Sequence, residues 1–450
     1  MAIVQKTFLQ FNGNELGTTM STGRKDYGTF KDSMRAPIHR WFQYPAGYSY
    51  RFIEEKIKEY QLNNNHWIFD PFVGSGTTSV VAKGMGVNSI GIEAHPFVHE
   101  IAQSKTYWEY DLDRLQDVIS KTIMSVERHI SNGYLQRIDF NSIPQLVKKC
   151  YSPLNLKKLL VIKETIFETK EQTEYKNFLK LVLTNVLRTA SKAGTGWPYI
   201  APTKYHEKTV ELDGVEEFKR QVHLFHNDLL YIRSKSYKKN IKCKILLDDA
   251  REYHPEISGE SVDLAITSPP YLNNYDYADR TRLETYFWGK YATWGEITRE
   301  VRDKLMTAAT TQIRRSAFNG SPLDTALLET SPHVFHELDN KIKTLATVRM
   351  EKGGRKSYDL MVAGYFNDMY KAMKEVYRVL KPGCDFVLVL GDSAPYGVYI
   401  PTEEYLGEIG KGIGFKDYSV EVLRSRGGKW ANNSQRHSVP LKEGILTLKK

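Results

Sequence analysis

The sequence predicts a three-layer α/β fold, in which a central β-sheet lies between two layers of helices. Short aliphatic runs typical of strands alternate with segments of helical period around residues 67–93, and again over 243–290. The same alternation returns over 358–450. Two long segments separate these three stretches, so we expect one core that carries two insertions.

The composition is that of an ordinary globular protein, with 41% hydrophobic and 26% charged residues among 450. This length exceeds one typical core, so two or three modules are expected. No apolar run approaches the roughly 18 residues needed to cross a membrane, and residues 1–25 lack the apolar segment of a signal peptide. Three cysteines without a Cys-x-x-Cys pair indicate a reducing, cytoplasmic compartment and no metal site.

The net charge of +10 and an isoelectric point near 9.1 indicate an anionic partner. No acidic residue lies between Asp228 and Asp248, or between Glu421 and Glu443, although both stretches are rich in lysine and arginine. Such stretches are more typical of phosphate contacts than of a solvated face. With the basic segment 307–315, they provide ten candidate nucleic-acid contacts: Arg233, Lys235, Lys238, Lys239, Arg314, Arg315, Arg424, Arg426, Lys429 and Arg436.

The N-terminal region precedes the first strand. Residues 1–35 have no hydrophobic period, and they predict an arm or loop. Residues 39–50 form a dense aromatic segment, whose rings either pack in the core or stack on a ligand. An amphipathic helix is predicted over 50–60.

The sharpest local pattern is a strand, a glycine turn and a helix. A strand over 67–72 runs into Val73-Gly74-Ser75-Gly76-Thr77-Thr78, and the helix that follows ends at Gly86. Glycines allow a tight turn and close backbone approach, and Thr77 or Thr78 is suited to cap the helix. The next strand ends in Glu93, an acid placed where dinucleotide folds hold a ribose diol.

The rest of the chain is predicted from its period. Helices are expected over 112–130, 154–168, 175–191 and 215–232. Strands are expected at 243–247, 262–267, 385–390, 418–423 and 444–449, with helices at 279–289, 358–380 (stopped by Lys381-Pro382-Gly383) and 402–411. The predicted organisation is an N-terminal arm (1–35), a first core part (36–105), a helical insertion (106–240), a second core part (241–295), a partly looped insertion (296–356) and a third core part (357–450).

The strand over 262–267 ends abruptly in Ser268-Pro269-Pro270-Tyr271, which we call the lip. Its two prolines fix φ and remove two backbone donors, so neither a strand nor a helix continues there. Taken alone, the tetrapeptide is explained by a plain turn. It also provides rigid hydrogen-bond acceptors at the carboxyl end of a strand, where open α/β sheets bind ligands.

Asp70-Pro71-Phe72-Val73-Gly74-Ser75-Gly76-Thr77-Thr78, together with Thr267 and the lip, resembles the motifs of the DNA amino-methyltransferase family. Members of that family make N4-methylcytosine or N6-methyladenine. The resemblance covers roughly 39–105, 243–290 and 358–450. It implies a Rossmann-like methyltransferase core and S-adenosylmethionine as the cofactor.

The resemblance also implies the cofactor site. Phe72 and the turn glycines would line the methionine end together with Asp70, Glu93 would hold the ribose hydroxyls, and Asp249 would lie beside the adenine. Tyr44-Pro45-Ala46 resembles the N-terminal cofactor motif, but Gly47 stands where a lysine is common. The complete predicted set is Tyr44, Pro45, Asp70, Pro71, Phe72, Gly74, Ser75, Gly76, Thr77, Thr78, Glu93, Asp249 and Thr267.

The chemistry of an exocyclic amine explains the lip, whose predicted catalytic residues are Ser268, Pro269, Pro270 and Tyr271. Such an amine is a poor nucleophile because its lone pair is delocalised into the ring. Ser268 Oγ and the Pro269 carbonyl would accept hydrogen bonds from its two N–H groups and so localise the lone pair on nitrogen. Tyr271 would stack on the base. The base must leave the duplex to reach the lip. No Pro-Cys dipeptide occurs, which argues against cysteine-dependent carbon-5 methylation.

A serine at the first lip position resembles the N4-cytosine enzymes, so cytosine N4 is favoured, with adenine N6 as the alternative. An RNA amine methyltransferase and a non-catalytic DNA-binding protein are further alternatives. The expected partners are double-stranded DNA and a cognate restriction endonuclease, in restriction–modification or phage defence. Either insertion is a candidate DNA-recognition region.

Overall fold

The computed structural model describes residues 26–44, 47–193, 210–235, 240–317, 321–426 and 439–450. The strands are β1 (Trp67–Asp70), β2 (Asn88–Ile92), β3 (Cys243–Leu246), β4 (Val262–Thr267), β5 (Leu380–Gly391), β6 (Asp417–Arg426) and β7 (Leu441–Lys449). All seven were predicted from the sequence, with ends shifted by a few residues.

The helices alternate with these strands and fill both insertions. They are α1 (Tyr50–Glu59), α2 (Thr77–Met85), α3 (Pro96–Thr106), α4 (Leu112–Ser131), α5 (Gln145–Cys150), α6 (Pro153–Glu168), α7 (Thr173–Thr189), α8 (Gly214–Ser234), α9 (Tyr277–Arg280), α10 (Arg282–Trp288), α11 (Trp294–Glu300), α12 (Thr325–Thr330), α13 (Pro332–Glu351), α14 (Tyr358–Val379) and α15 (Thr402–Ile413). In the described part of the chain, no helix combines the length and apolarity needed to cross a bilayer.

The strands form one sheet in the order β3-β2-β1-β4-β5-β7-β6. Strands β1 to β5 are parallel, whereas β7 runs antiparallel between β5 and β6. The carboxyl ends of the parallel strands therefore meet at one edge of the sheet, which we call the carboxyl edge. Because β7 is reversed, its first residues reach the same edge, and Glu443 lies beside Gly391 of β5.

Alternate residues of the central strands enter two different cores. Ile68, Leu264 and Val387 pack with α1 and α2 on one face of the sheet. Phe69 and Ala265 pack with α14 and α15 on the other face. The sheet is thus covered on both faces, which confirms the predicted three-layer, Rossmann-like α/β fold.

The segment between α3 and β3 is helical, with α4, α6, α7 and α8 close to their predicted bounds. Its apolar residues form a core that includes the N-terminal aromatic segment. The Trp41 ring stacks on Phe225 at a centroid distance of 4.7 Å, and its Nε1 donates a 2.9 Å hydrogen bond to Asp228. Of the two alternatives left open for these aromatics, core packing is therefore the one observed for Trp41.

Two local predictions were wrong. The helix expected over 279–289 is broken at Thr281 into α9 and α10. Helix α13, with 20 residues, was missed in the second insertion; its buried Leu338, Ile342 and Leu345 pack towards the core of α14. Helix α14 ends at Val379, next to the stop expected at 381–383, whereas β5 begins at Leu380, before its predicted start at 385. The register of β5 against β4 jumps from Leu380 to Asp385.

Candidate active site

The glycine turn lies at the carboxyl edge, between β1 and α2. Gly74 has φ 53° and Gly76 has φ 90°, both in the left-handed region that favours glycine. Helix α2 then begins at Thr77 with Gly76 as its N-cap, so the predicted threonine cap is not formed. The predicted strand, turn and helix are thus present, and the turn exposes its backbone to the cleft described below.

Asp70 lies beneath this turn and is only 1% exposed. Its carboxylate accepts hydrogen bonds from Thr267 Oγ1 at 2.6 Å, from the Phe72 amide at 3.0 Å and from the Thr78 hydroxyl. Burial raises the pKa of Asp70 to about 6, although these hydrogen bonds oppose the shift. Asp70 therefore joins the ends of β1 and β4.

A cleft of about 830 Å³, counting its open mouth, lies over the turn. This size is suited to a cofactor. Ten of the predicted site residues line it: Tyr44, Pro71, Phe72, Gly74, Ser75, Thr77, Glu93, Asp249, Ser268 and Pro270. The prediction missed Gly47, Tyr48, Val73, Ile92, Ala94, His95, Ala250, Tyr277, Leu305 and Met306. Asp70, Gly76, Thr78 and Thr267 do not line it but support its floor, and Pro45 lies outside the described residues.

Glu93, which is half-buried, brings its carboxyl group to the cleft wall. It accepts hydrogen bonds from the backbone amides of His95, at 2.8 Å, and Gly74. Burial, with a smaller effect of nearby Asp70, raises the pKa of Glu93 to about 7. The neighbouring His95 is held by Thr281 at 2.7 Å, and burial lowers its pKa to about 3. His95 therefore fixes the wall as a neutral ring.

The far wall comes from the second insertion. Asp249 is bound by Arg251 at 2.9 and 3.0 Å, and Arg251 also donates to the Lys304 carbonyl at 2.9 Å. The next two residues, Leu305 and Met306, line the cleft. No motif in the sequence identified them, because their position depends on how the insertion packs.

Gly47 lines the cleft where the resembled family commonly has a lysine. A Cβ atom there would lie 2.7 Å from the Phe30 ring, closer than real Cβ contacts. Phe30 itself is buried. The departure from the family motif therefore accompanies an aromatic side chain that occupies the space.

The lip closes one side of the cleft. Ser268 and Pro270 line it, while the Tyr271 hydroxyl donates a 3.1 Å hydrogen bond to Glu443 Oε1. The Arg426 guanidinium carbon lies 5.4 Å from the centroid of the Tyr271 ring. Burial and the Glu443 carboxylate raise the pKa of Tyr271 well above its ordinary value.

The described candidates of the two basic stretches lie in different parts of the structure. Arg233 donates to the carbonyls of Trp108, at 3.2 Å, and Tyr110, which follow the carboxyl end of α3. Lys235 packs on the Tyr231 ring nearby. The structure therefore does not bring Arg233 and Lys235 to the cleft, which is at the carboxyl edge.

The second stretch reaches the carboxyl edge through the pairing of β6 with β7. Arg424 donates to Glu443 at 2.6 Å, and Arg426 donates to the Asp392 carbonyl at 3.3 Å. Arg314 is exposed, and Arg315 pairs with Asp359 at 2.6 Å. The remaining candidates lie outside the described residues: Lys238, Lys239, Lys429 and Arg436.

The groups that line this cleft are suited to bind S-adenosylmethionine. The Glu93 carboxylate is suited to a ribose diol, the left-handed Gly74 presents backbone without a side chain, and Ile92, Leu305 and Met306 provide apolar surface for an adenine. Among the described residues, no cluster of three or more metal-binding side chains occurs.

Comparison with known proteins agrees with this geometry. The model of a family described as DNA methylase, the N6/N4 methyltransferases, matches residues 16–104. The chain is 27% identical to the Type II methyltransferase M.BsoBI of Geobacillus stearothermophilus, over 94% of this chain and 86% of the relative. It is 24% identical to M.AvaI of Nostoc sp., over 94% and 87%. It is also 31% identical to M.MjaII of Methanocaldococcus jannaschii, over 28% and 24%.

One explanation accounts for the fold, for the glycine turn and the lip at one cleft, and for the relatives aligned over nearly the whole length. The chain is a relative of the Type II DNA methyltransferases, and its residues 16–104 match the N6/N4 DNA methylase family, whose members use S-adenosylmethionine as the methyl donor.

Proposed function

We propose that this enzyme methylates the exocyclic amine of a base flipped out of a specific duplex DNA sequence, with cytosine N4 as the favoured target. The observation that carries the proposal is that Ser268 and Pro270 line the same cleft as Gly74 and Glu93. Acceptors for an amine therefore adjoin the backbone and carboxylate suited to the methyl donor.

The cofactor-binding residues divide into two groups in this proposal. Glu93 and Asp249, with the backbone at Gly74, contact the cofactor from the wall, joined there by Tyr44, Pro71, Phe72, Ser75 and Thr77. Asp70 acts from below the cleft. Its hydrogen bonds with Thr78 and Thr267 fix the glycine turn relative to the lip. When bound, the cofactor supplies an electrophilic methyl group.

The lip activates and holds the amine. Ser268 Oγ and the Pro269 carbonyl accept hydrogen bonds from the two N–H groups of the amine. These bonds draw the nitrogen towards tetrahedral geometry and localise its lone pair. Tyr271 offers a ring on which the base stacks, and its bond to Glu443 fixes the ring plane. Positioning of this kind supplies most of the catalysis, and no covalent nucleophile is required.

Double-stranded DNA approaches the carboxyl edge, since the base must reach the lip. Arg314 and Arg426 are the described candidates for phosphate contact there, whereas Arg424 is engaged by Glu443. The 296–356 insertion adjoins the lip, because Thr310 and Thr311 hydrogen-bond Asn274 and Asp276 just after it. This supports the second insertion as a DNA-contacting region beside the helical one.

Two further parts of the proposal rest on resemblance. The serine at position 268 favours cytosine N4 over adenine N6. The relatives are named Type II methyltransferases, which supports a place in a restriction–modification system with an endonuclease that cuts the same sequence.

One experiment tests the proposal. Unmethylated plasmid DNA is incubated with the enzyme and S-adenosylmethionine, and is then sequenced by a method that reports modified bases. We expect N4-methylcytosine at one position of a short recurrent sequence. N6-methyladenine would replace the favoured base by the alternative, while unmodified DNA alongside methylated transfer RNA would contradict the proposal.

A further inference from the structure

The lip ends in a hydrogen-bond chain that no sequence motif indicated. Ser268 is hydrogen-bonded to the Tyr271 hydroxyl, which donates in turn to Glu443 Oε1 at 3.1 Å. The other carboxylate oxygen of Glu443 accepts from Arg424 Nε at 2.6 Å. Glu443 is only 2% exposed, so water does not replace these partners.

The hydrogen bonds from Ser268 through Tyr271 to Glu443 run in one fixed direction, from donor to acceptor. A carboxylate only accepts hydrogen bonds, and a tyrosine hydroxyl has a single proton. Tyr271 gives that proton to Glu443, so it must accept from Ser268. The Ser268 proton is thereby committed to Tyr271, and its oxygen faces the cleft with lone pairs alone.

Arginine and backbone groups enclose the Glu443 carboxylate. Arg424 supplies a charge-assisted partner, and such bonds are strong in a buried setting. Gly28 packs so closely that a Cβ atom there would lie 2.2 Å from Glu443 Oε2. The N-terminal segment thus covers the carboxylate.

We propose that Glu443 is a positioning residue for methyl transfer, which acts through Tyr271 to hold Ser268 as an acceptor for the amine of the target base. The inference rests on the proposed function, and it applies equally to cytosine and adenine. Without Glu443, Ser268 is free to point its proton at the amine, where two donors would repel.

Glu443→Gln is the direct test. In this variant only the amide oxygen can accept the hydrogen bond from Arg424, so the amide NH₂ faces Tyr271. The NH₂ then donates to the Tyr271 hydroxyl, which reverses the direction of the hydrogen-bond chain. We expect kcat to fall by about 100-fold at saturating DNA. The measurement is transfer of radiolabelled methyl groups to unmethylated plasmid DNA, with cofactor affinity from calorimetry and thermal melting as checks on folding. An unchanged kcat in a folded variant would overturn the inference.

A second substitution separates positioning from simple stability. In Glu443→Gln combined with Arg424→Met, the amide can turn its oxygen to Tyr271, which restores the original direction. We expect kcat at saturating DNA to recover by about tenfold over Glu443→Gln alone. A purely structural role predicts the opposite, since the second loss would add to the first. If the wild-type enzyme itself transfers no methyl group, the proposed function fails instead.

Discussion

The Thr267 hydroxyl donates a 2.6 Å hydrogen bond to the buried Asp70 carboxylate, and so joins the last residue of β4 to the last residue of β1. The lip follows Thr267 directly, and the glycine turn follows Asp70. One hydrogen bond therefore sets the relation between the residues that hold the amine and those that hold the methyl donor.

Thr267→Val should leave the Asp70 carboxylate one donor short. We expect the free energy of unfolding to fall by about 1–3 kcal/mol, with weaker cofactor binding because the turn loosens. Denaturant unfolding and calorimetry measure the two effects. Thr344→Val is the control, since the Thr344 hydroxyl bonds only its own helix at the surface; an equal loss there would contradict the argument.

Glu93 should make the cofactor-free enzyme less stable as the pH rises. Its folded pKa of about 7 lies above its ordinary value of 4.5, so the folded state binds the proton more tightly between those values. Stability is therefore fully present below pH 4.5 and falls by about 1–3 kcal/mol as the pH rises through 7. Denaturant unfolding at several pH values should show a smaller decline in Glu93→Gln; an identical profile would exclude Glu93 as the source.

Gly74→Ala should abolish cofactor binding. A side chain at φ 53° is strained, and the turn must shift away from its geometry at the cleft. Gly353→Ala is a matched control, since Gly353 has φ 78° and open space around it. We expect a similar stability cost, about 1 kcal/mol, in both variants, but loss of affinity by calorimetry only in Gly74→Ala.

Ser268→Ala should retain cofactor affinity and lose about 100-fold or more in kcat, because one amine acceptor is removed while the rest of the cleft is kept. Single-turnover methyl transfer measures the chemical step separately from product release. Turnover equal to the wild type would refute the role given to this hydroxyl.

Arg314→Ala should weaken DNA binding at the carboxyl edge and reduce the slope of log affinity against log salt by about 1. Lys235→Ala removes the same charge away from the cleft and should change neither quantity. Gel shifts at several salt concentrations make the comparison. Equal effects of both substitutions would mean that the DNA path extends around the sheet.

The sequence was sufficient wherever local chemistry determines the structure. A glycine turn between a strand and a helix, and two prolines after a strand, have few alternative conformations. These motifs predicted Gly74, Glu93 and Ser268, all of which line the cleft.

Residues brought in by tertiary packing could not be predicted in this way. Met306 reaches the cleft from an insertion, and Glu443 reaches the lip because β7 is antiparallel. Charge density alone also failed to distinguish the two basic stretches, since where each lies depends on how the chain packs. Asp70 lies below the cleft rather than in its lining, where Thr267, Thr78 and Tyr48 from three separate segments hydrogen-bond its carboxylate.

The contact between Phe30 and Gly47 has an evolutionary consequence. Because a side chain at position 47 would overlap the Phe30 ring, the two positions are expected to covary. Homologues with lysine at 47 should carry a small residue at 30, and homologues with an aromatic residue at 30 should carry glycine at 47. The N-terminal segment and the cofactor loop would then evolve as a single unit, despite the 16 positions between Phe30 and Gly47.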